Sequence, residues 1–188
     1  MGRVEWARAL AERLPAEPLP RRWAHTQGVA AAAGRLAPIL GEDAELIEAA
    51  AWLHDIGYSP VVADTGFHPL DGARYLRDVE SADALPCGLV AYHTGAVYEA
   101  QERGLESSLG DEFTLPARSL AVALTYCDVT TGPDGNSVTV QERIDDILER
   151  YGPDHPVGRA LRKAQSFYLD IVSEIEACLT SRTPIGRF

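Results

Sequence analysis

His54 and Asp55 stand side by side at the end of an apolar stretch that includes Leu46, Ile47, Ala50, Ala51, Trp52 and Leu53. An imidazole beside a carboxylate in such surroundings raises a question of charge, because an ionised aspartate taken out of water is costly unless it is paired or coordinated. No lysine or arginine lies near the pair in sequence, so a metal ion would supply the compensation; a capping arrangement at a helix end is the alternative. His25, within Arg22-Trp23-Ala24-His25-Thr26, is surrounded by small and apolar residues, where an imidazole is either a satisfied core group or a ligand. Asp128 follows the apolar run from Ala121 to Cys127, and its carboxylate either caps the turn beyond it or binds a cation. His68 reads as an N-terminal helix residue or a ligand, and His93 as a polar face residue or a ligand. His155 stands among Pro153 and Pro156 in a loop expected at the surface and is set aside. The chain has neither a Gly-x-Ser-x-Gly elbow nor a phosphate-binding loop ending in Gly-Lys-Ser/Thr, so these residues point away from a covalent nucleophile.

These side chains must be positioned by helices. Amphipathic patterns separated by Pro, Gly and Asp-rich breaks recur along the chain with little strand alternation, which predicts an all-α fold. Expected helices cover 4–14, closed by Pro15; 20–36, with Pro20 suited to a first turn; 44–55, with Gly57 as its stop; 68–79; 86–94; 116–129; 140–151; and 157–179. Residues 58–67 form an expected loop, 99–111 is the least ordered-looking part of the interior, and Thr131-Gly132-Pro133-Asp134-Gly135-Asn136 is a turn. His25 therefore lies inside the second helix, while His54, Asp55, His68, His93 and Asp128 gather near helix ends.

With 188 residues, the chain is expected to make one domain over 1–188, with a core at about 20–130 and the helices of 140–180 packed on it. Hydrophobic residues at 46% and charged residues at 24% exclude a disordered chain and a membrane protein. A formal charge of -11 repels nucleic-acid polymers and anionic lipid, so a phosphate-bearing ligand needs local positive charge. The first twenty residues lack the apolar core of a signal peptide, and the alanine-rich run at 29–40 is broken by Gly34, Arg35 and Pro38, which predicts a cytoplasmic protein with no membrane partner. Cys87, Cys127 and Cys178 have no C-x-x-C spacing and are expected as free apolar residues. The apolar positions of the last helix, Phe167, Leu169, Ile171, Val172, Ile175 and Leu179, suit packing on the core or a homodimer face equally, so oligomeric state stays open.

Taken in order, His25, His54-Asp55 and Asp128 make an H…HD…D pattern that resembles the HD-domain superfamily of helical metal-dependent phosphohydrolases. The likeness runs through Trp23-Ala24-His25, the segments from Ala50 to Gly57 and from His68 to Leu76, and Leu120 to Asp128; Leu53-His54-Asp55-Ile56-Gly57 is its most specific part. The resemblance implies a compact helical domain with one metal site made by His25, His54, Asp55 and Asp128. His68 and His93 match the extra histidines of the binuclear, six-ligand branch, in which the aspartate of the HD pair bridges two ions, so Asp55 takes the central catalytic role. Mixed nitrogen and oxygen ligation suits one or two divalent ions among Fe, Mn, Ni, Co and Mg. The segment from Thr94 to Tyr98 departs from the second histidine and Gly-Tyr-Pro of cyclic-dinucleotide phosphodiesterases, so cyclic di-GMP hydrolysis is not expected.

The implied reaction is hydrolysis of a phosphomonoester or phosphodiester, nucleotides included, by a metal-activated hydroxide, with a small phosphorylated molecule as partner. HD-type diiron oxygenases use the same six residue types and give a second reading; their substrate-positioning lysine or tyrosine would have to be Lys163, Tyr58 or Tyr98. A noncatalytic HD module that binds a ligand is the third. Arg22, one helical turn before His25, is a candidate clamp for a phosphate oxygen, and Arg143 is another; each also reads as a solvated helix arginine. The pocket walls are expected from 58–67 and 99–115.

Overall fold

The computed structural model describes residues 2–14 and 17–186. Along them the chain forms α1 (Arg3–Arg13), α2 (Pro20–Arg35), α3 (Ala37–Leu40), α4 (Ala44–Leu53), α5 (His68–Asp78), α6 (Ala84–Tyr92), α7 (Ala96–Arg103), α8 (Glu106–Glu112), α9 (Arg118–Val129), α10 (Val140–Tyr151) and α11 (Pro156–Ser181). Among the described residues there is no strand, only an isolated antiparallel bridge between Thr131 and Ser137, and the fold is all-α as the periodicity predicts. Pro15, expected to close the first helix, lies outside the described residues.

The local signals that start the helices are visible. Pro20 opens α2, where its missing N–H costs nothing. A capping box opens α10: Glu142 N–H donates to Thr139 Oγ1 at 3.2 Å, and Thr139 N–H donates to Glu142 Oε2 at 2.7 Å. His155, exposed as expected, caps α11 by accepting from the Val157 N–H. Helix α4 is apolar on nearly every side, and it accordingly lies in the middle, packed by α1, α2, α6 and α9. The long α11 packs on α7, α9 and α10, burying Ile171 and Ile175 in the main core and joining Tyr168 and Leu161 to Val140 and Ile144 of α10 in a smaller apolar cluster. No helix among the described residues is long and apolar enough to cross a membrane. Cys87 and Cys127 are buried and Cys178 partly so, all three as free thiols.

Four local expectations are corrected. The stretch 99–111 is helical, not loose: α7 ends at Gly104, whose φ of 70° suits only glycine comfortably, and α8 follows. Two buried residues, Ala100 and Leu109, and the Tyr92 hydroxyl, its proton shared between the carbonyls of Leu109 (3.3 Å) and Phe113 (3.0 Å), hold that polar segment to the body. Helix α4 stops at Leu53 rather than at 55, leaving His54 and Asp55 on the break itself. Gly57 is no helix stop: it lies in a short 3-10 turn, Ile56–Tyr58, where a Cβ would come 2.0 Å from the His68 carbonyl oxygen and 2.8 Å from the Gly72 nitrogen. Glycine is required there so that the backbone after Asp55 can touch the start of α5. Finally α6 ends at Tyr92, short of the expected 94, and His93–Gly95 form a tight turn with Thr94 in the left-handed region (φ 49°, ψ 42°).

Candidate metal centre

Five breaks and helix ends bring the ligand candidates together. Helix α2 carries His25, the break after α4 carries His54 and Asp55, α5 begins with His68, the turn after α6 carries His93, and the last turn of α9 carries Asp128. His54 is 0% exposed and His25, Asp55, His93 and Asp128 all stay below 8%. Six polar groups of this kind are not placed in a helical core without partners.

Three of the imidazoles are fixed by backbone carbonyls. Nδ1 of His54 lies 2.7 Å from the Ala51 oxygen, Nδ1 of His93 2.6 Å from that of Val90, and Nδ1 of His25 3.0 Å from that of Gly132. A carbonyl only accepts, so each Nδ1 carries the proton and each Nε2 keeps a lone pair. The His25 contact depends on two glycines: the turn at 131–136 is laid on α2 so closely that a Cβ on Gly28 would meet the Gly135 oxygen at 2.5 Å.

The Nε2 atoms converge on the two carboxylates and on one another, and His25 Nε2 also lies 3.3 Å from Arg143 NH2. His25 Nε2 is 3.0 Å from Asp128 Oδ1, His54 Nε2 is 3.4 Å from Asp55 Oδ2, and His68 Nε2 is 3.4 Å from Asp55 Oδ1 and 3.1 Å from His93 Nε2. His54 Nε2 has no hydrogen-bond partner although it is fully buried. Ligand atoms of His25, His54 and Asp128 lie within 4.8 Å of one another, and so do those of Asp55, His68 and His93. Asp55 stands between the two groups: Oδ2 faces His54 and, at 4.0 Å, His25, while Oδ1 faces His68.

Ionisation supports the same arrangement. Burial is the strongest influence on Asp55 and opposes its charge, but Arg22 and the surrounding imidazoles together outweigh it and hold the carboxyl well below the usual carboxylate range. Burial likewise resists ionisation of Asp128, and the His25 contact and Arg143 overcome it. Burial, joined by neighbouring imidazoles, pushes His68 and His93 down, so both are neutral at pH 7. Two carboxylates and unprotonated ring nitrogens are the forms that bind a cation. The orphaned His54 Nε2 and the acceptors turned towards one another fit a divalent metal held by this mixed set.

Of the sequence-predicted site residues, all six ligand candidates come together, and both arginines join them. Arg22 places NH1 2.9 Å from Asp55 Oδ2 and its guanidinium 3.7 Å from the centre of the Tyr58 ring, which in turn stacks on His68 at 3.9 Å. Arg143 is not a solvated helix arginine: it is 7% exposed, with NH2 3.2 Å from Asp128 Oδ1 and NH1 3.6 Å from Asp146. Tyr98 packs on Phe167 away from the centre, and the ammonium of Lys163 pairs with Glu102 at 2.5 Å on the surface. Thr94 and Tyr168 were not singled out by sequence. The Thr94 hydroxyl donates to Asp128 Oδ2 at 2.5 Å, and the Tyr168 hydroxyl donates to the Thr94 carbonyl at 3.0 Å. The only sequence sign was the Thr-Gly pair directly after a candidate ligand.

An open cleft lies over Asp55, His68, His93 and Asp128. Its far wall corrects the expected one: from the expected stretches only Tyr58 and Glu99 line it, and the rest of that side is Ile147, Tyr151, Val157 and Leu161 of α10 and α11.

Residues 22–125 match the HD domain family, more than half of the chain, and the protein belongs to that family. Its members are largely metal-dependent hydrolases. No curated protein and no solved structure gives a match. The matched segment contains five of the six ligand candidates and stops three residues before Asp128, so α10 and α11, which wall the cleft, lie outside it.

Proposed function

We propose that the protein is a binuclear metal-dependent phosphohydrolase that takes a small phosphorylated molecule into the cleft and cleaves its phosphomonoester or phosphodiester bond. In this reading residues 1–188 work as one unit, since both the metal ligands and the cleft wall are needed. The observation that carries it is the placement of Asp55, with one carboxylate oxygen turned to His25 and His54 and the other to His68. His25, His54 and Asp128 would hold one ion, His68 and His93 a second, and Asp55 both. Bound divalent ions supply Lewis acidity, lowering the pKa of water and neutralising charge on the phosphoryl oxygens.

The chain's own part is positioning. The carbonyl contacts of His25, His54 and His93 hold three lone pairs in fixed directions before any ligand arrives. Arg22 and Arg143 are tied to Asp55 and Asp128. With cations held by those carboxylates, the two guanidiniums would be free to face a phosphate, whose oxygens match their fork of donors. The apolar groups of Ile147, Val157 and Leu161 keep one side of the cleft dry, which strengthens these interactions. Among the residues an oxygenase would use to position substrate, only Tyr58 lines the cleft, and its ring is already engaged by Arg22 and His68, so the hydrolase is favoured.

The test is elemental analysis of protein purified without chelator, run with His68→Ala and His93→Ala, alongside hydrolysis of bis-p-nitrophenyl phosphate. About two ions per chain, falling towards one in each variant with loss of hydrolysis, is expected for a two-metal site. A content of one or fewer, indifferent to both substitutions, refutes the binuclear reading.

A further inference from the structure

A second, smaller opening lies beside the main cleft, lined by Arg21, Arg22, His25, Pro133, Arg143 and Arg150. It carries four guanidiniums and no carboxylate, in a protein whose formal charge is -11. Arg22, Arg143 and Arg150 also line the main cleft, so they form the partition between the two openings. The main cleft reaches Asp55, His68, His93 and Asp128, and the smaller opening reaches the metal centre from the side of His25.

Without cations each arginine is matched by a carboxylate outside the lining. Arg21 reaches Asp134 at 3.0 Å, Arg22 reaches Asp55 at 2.9 Å, Arg143 reaches Asp128 at 3.2 Å, and Arg150 reaches Asp146 at 2.9 Å. Ions held by Asp55 and Asp128 would claim two of those carboxylates and add positive charge of their own, leaving Arg22 without counter-charge and Arg143 with only Asp146, 3.6 Å away and shared with Arg150, next to the exposed Arg21 and Arg150. A single phosphate on the metals does not balance that excess, and the partition places donors on both of its faces.

We propose that the smaller opening is a second anion subsite, and that the substrate of this protein is a phosphoester carrying another anionic group, a second phosphate in the best match to the guanidinium forks, held by Arg21 and Arg150 while the scissile phosphate lies against the metals. The proposal rests on the binuclear phosphohydrolase reading. It makes Arg21 and Arg150 selectivity residues and leaves the ligand set untouched.

The test uses the full-length protein loaded with Mn²⁺ and two non-hydrolysable probes, propylphosphonate and propane-1,3-bisphosphonate, with binding followed by titration calorimetry. The bisphosphonate is expected to bind about tenfold or more tightly, the gain from adding charge-assisted hydrogen bonds to a second phosphonate. In Arg21→Gln/Arg150→Gln that preference falls to about twofold or less, while manganese content and propylphosphonate affinity stay near wild type; Arg77→Gln, which removes a remote surface charge, keeps the preference. Equal affinity for the two probes in a protein that holds manganese and binds propylphosphonate overturns the subsite and leaves the hydrolase reading standing. A preference that survives the double substitution overturns it as well. Failure to hold manganese or to bind either probe removes the parent reading and the subsite with it.

Discussion

Thr94 offers the sharpest test of how the metal centre is held. It is a β-branched residue in the left-handed region, a conformation costing on the order of 1–2 kcal/mol that persists only where surrounding contacts enforce it. Its hydroxyl donates to Asp128 Oδ2 while Arg143 NH2 donates to Oδ1, so the carboxylate is pinned at both oxygens. Thr94→Val keeps the shape and the backbone strain and deletes the donor alone. A hydrogen bond to a buried carboxylate contributes roughly 1.5–3 kcal/mol, and Asp128 is 7% exposed, so solvent does not take the lost place. For a chain of this size that predicts a fall in Tm of about 3–12 °C. Because an oxygen freed from Thr94 lets the carboxylate rotate off its aim at the ion, manganese affinity is expected to drop about 10–100-fold. Thr94→Ser keeps the hydroxyl and is expected to restore metal affinity. Differential scanning calorimetry and Mn²⁺ titration monitored by electron paramagnetic resonance measure the two effects. A valine variant with wild-type affinity and wild-type Tm would show that this contact holds nothing.

Asp55→Ala removes the only carboxylate that faces both ligand groups and is expected to lose both ions together; elemental analysis showing two ions retained would refute the bridging assignment. In metal-free protein, His68 and His93 have folded pKa values below the unfolded value near 6.5, so below that pH the unfolded chain takes up protons that the folded chain does not. Stability is therefore expected to be flat above about pH 7 and to fall by about 1.4 kcal/mol per pH unit for each imidazole below 6.5, before Asp55 and Asp128 add their own loss near pH 4; urea melts across pH 4.5–8 measure it, and a flat profile refutes it. Gly57→Ala would thrust a methyl carbon to 2.0 Å from the His68 oxygen, so Asp55 and His68 must part. Loss of metal binding together with a Tm lowered by about 5 °C or more is expected, and an unchanged metal content would mean that the turn moves as a unit.

The six ligand candidates were legible because each is a residue type the surrounding apolar pattern does not explain, and their order matched a known arrangement. Helix positions were legible from periodicity and from Pro20, but where the chain must bend under tertiary contact the reading slipped. Helices α7 and α8 were hidden because Leu109 is almost their only buried large residue in a polar stretch. Arg143 shows a signal that was present and underused: Val140, Arg143, Ile144 and Ile147 fall on one face of α10, which places the arginine on the buried side. Thr94 gave no comparable sign, since its role arises from a hydroxyl and a carbonyl that meet partners 34 and 74 residues away.

The two ligand groups also differ in how much chain each needs. Asp55, His68 and His93 are drawn from a short run, with the His68–His93 contact spanning 25 residues, whereas His25 meets Asp128 across 103. Closing the longer loop costs more entropy and must wait until α9 exists. During synthesis, then, the pocket of Asp55, His68 and His93 has all its ligands while α9 is still unmade, and the group around His25 is completed last. Arg22, made before Asp55 and only 33 residues from it, can pair with that carboxylate before His68 and His93 emerge, so an ion entering the early pocket competes with a guanidinium already in place.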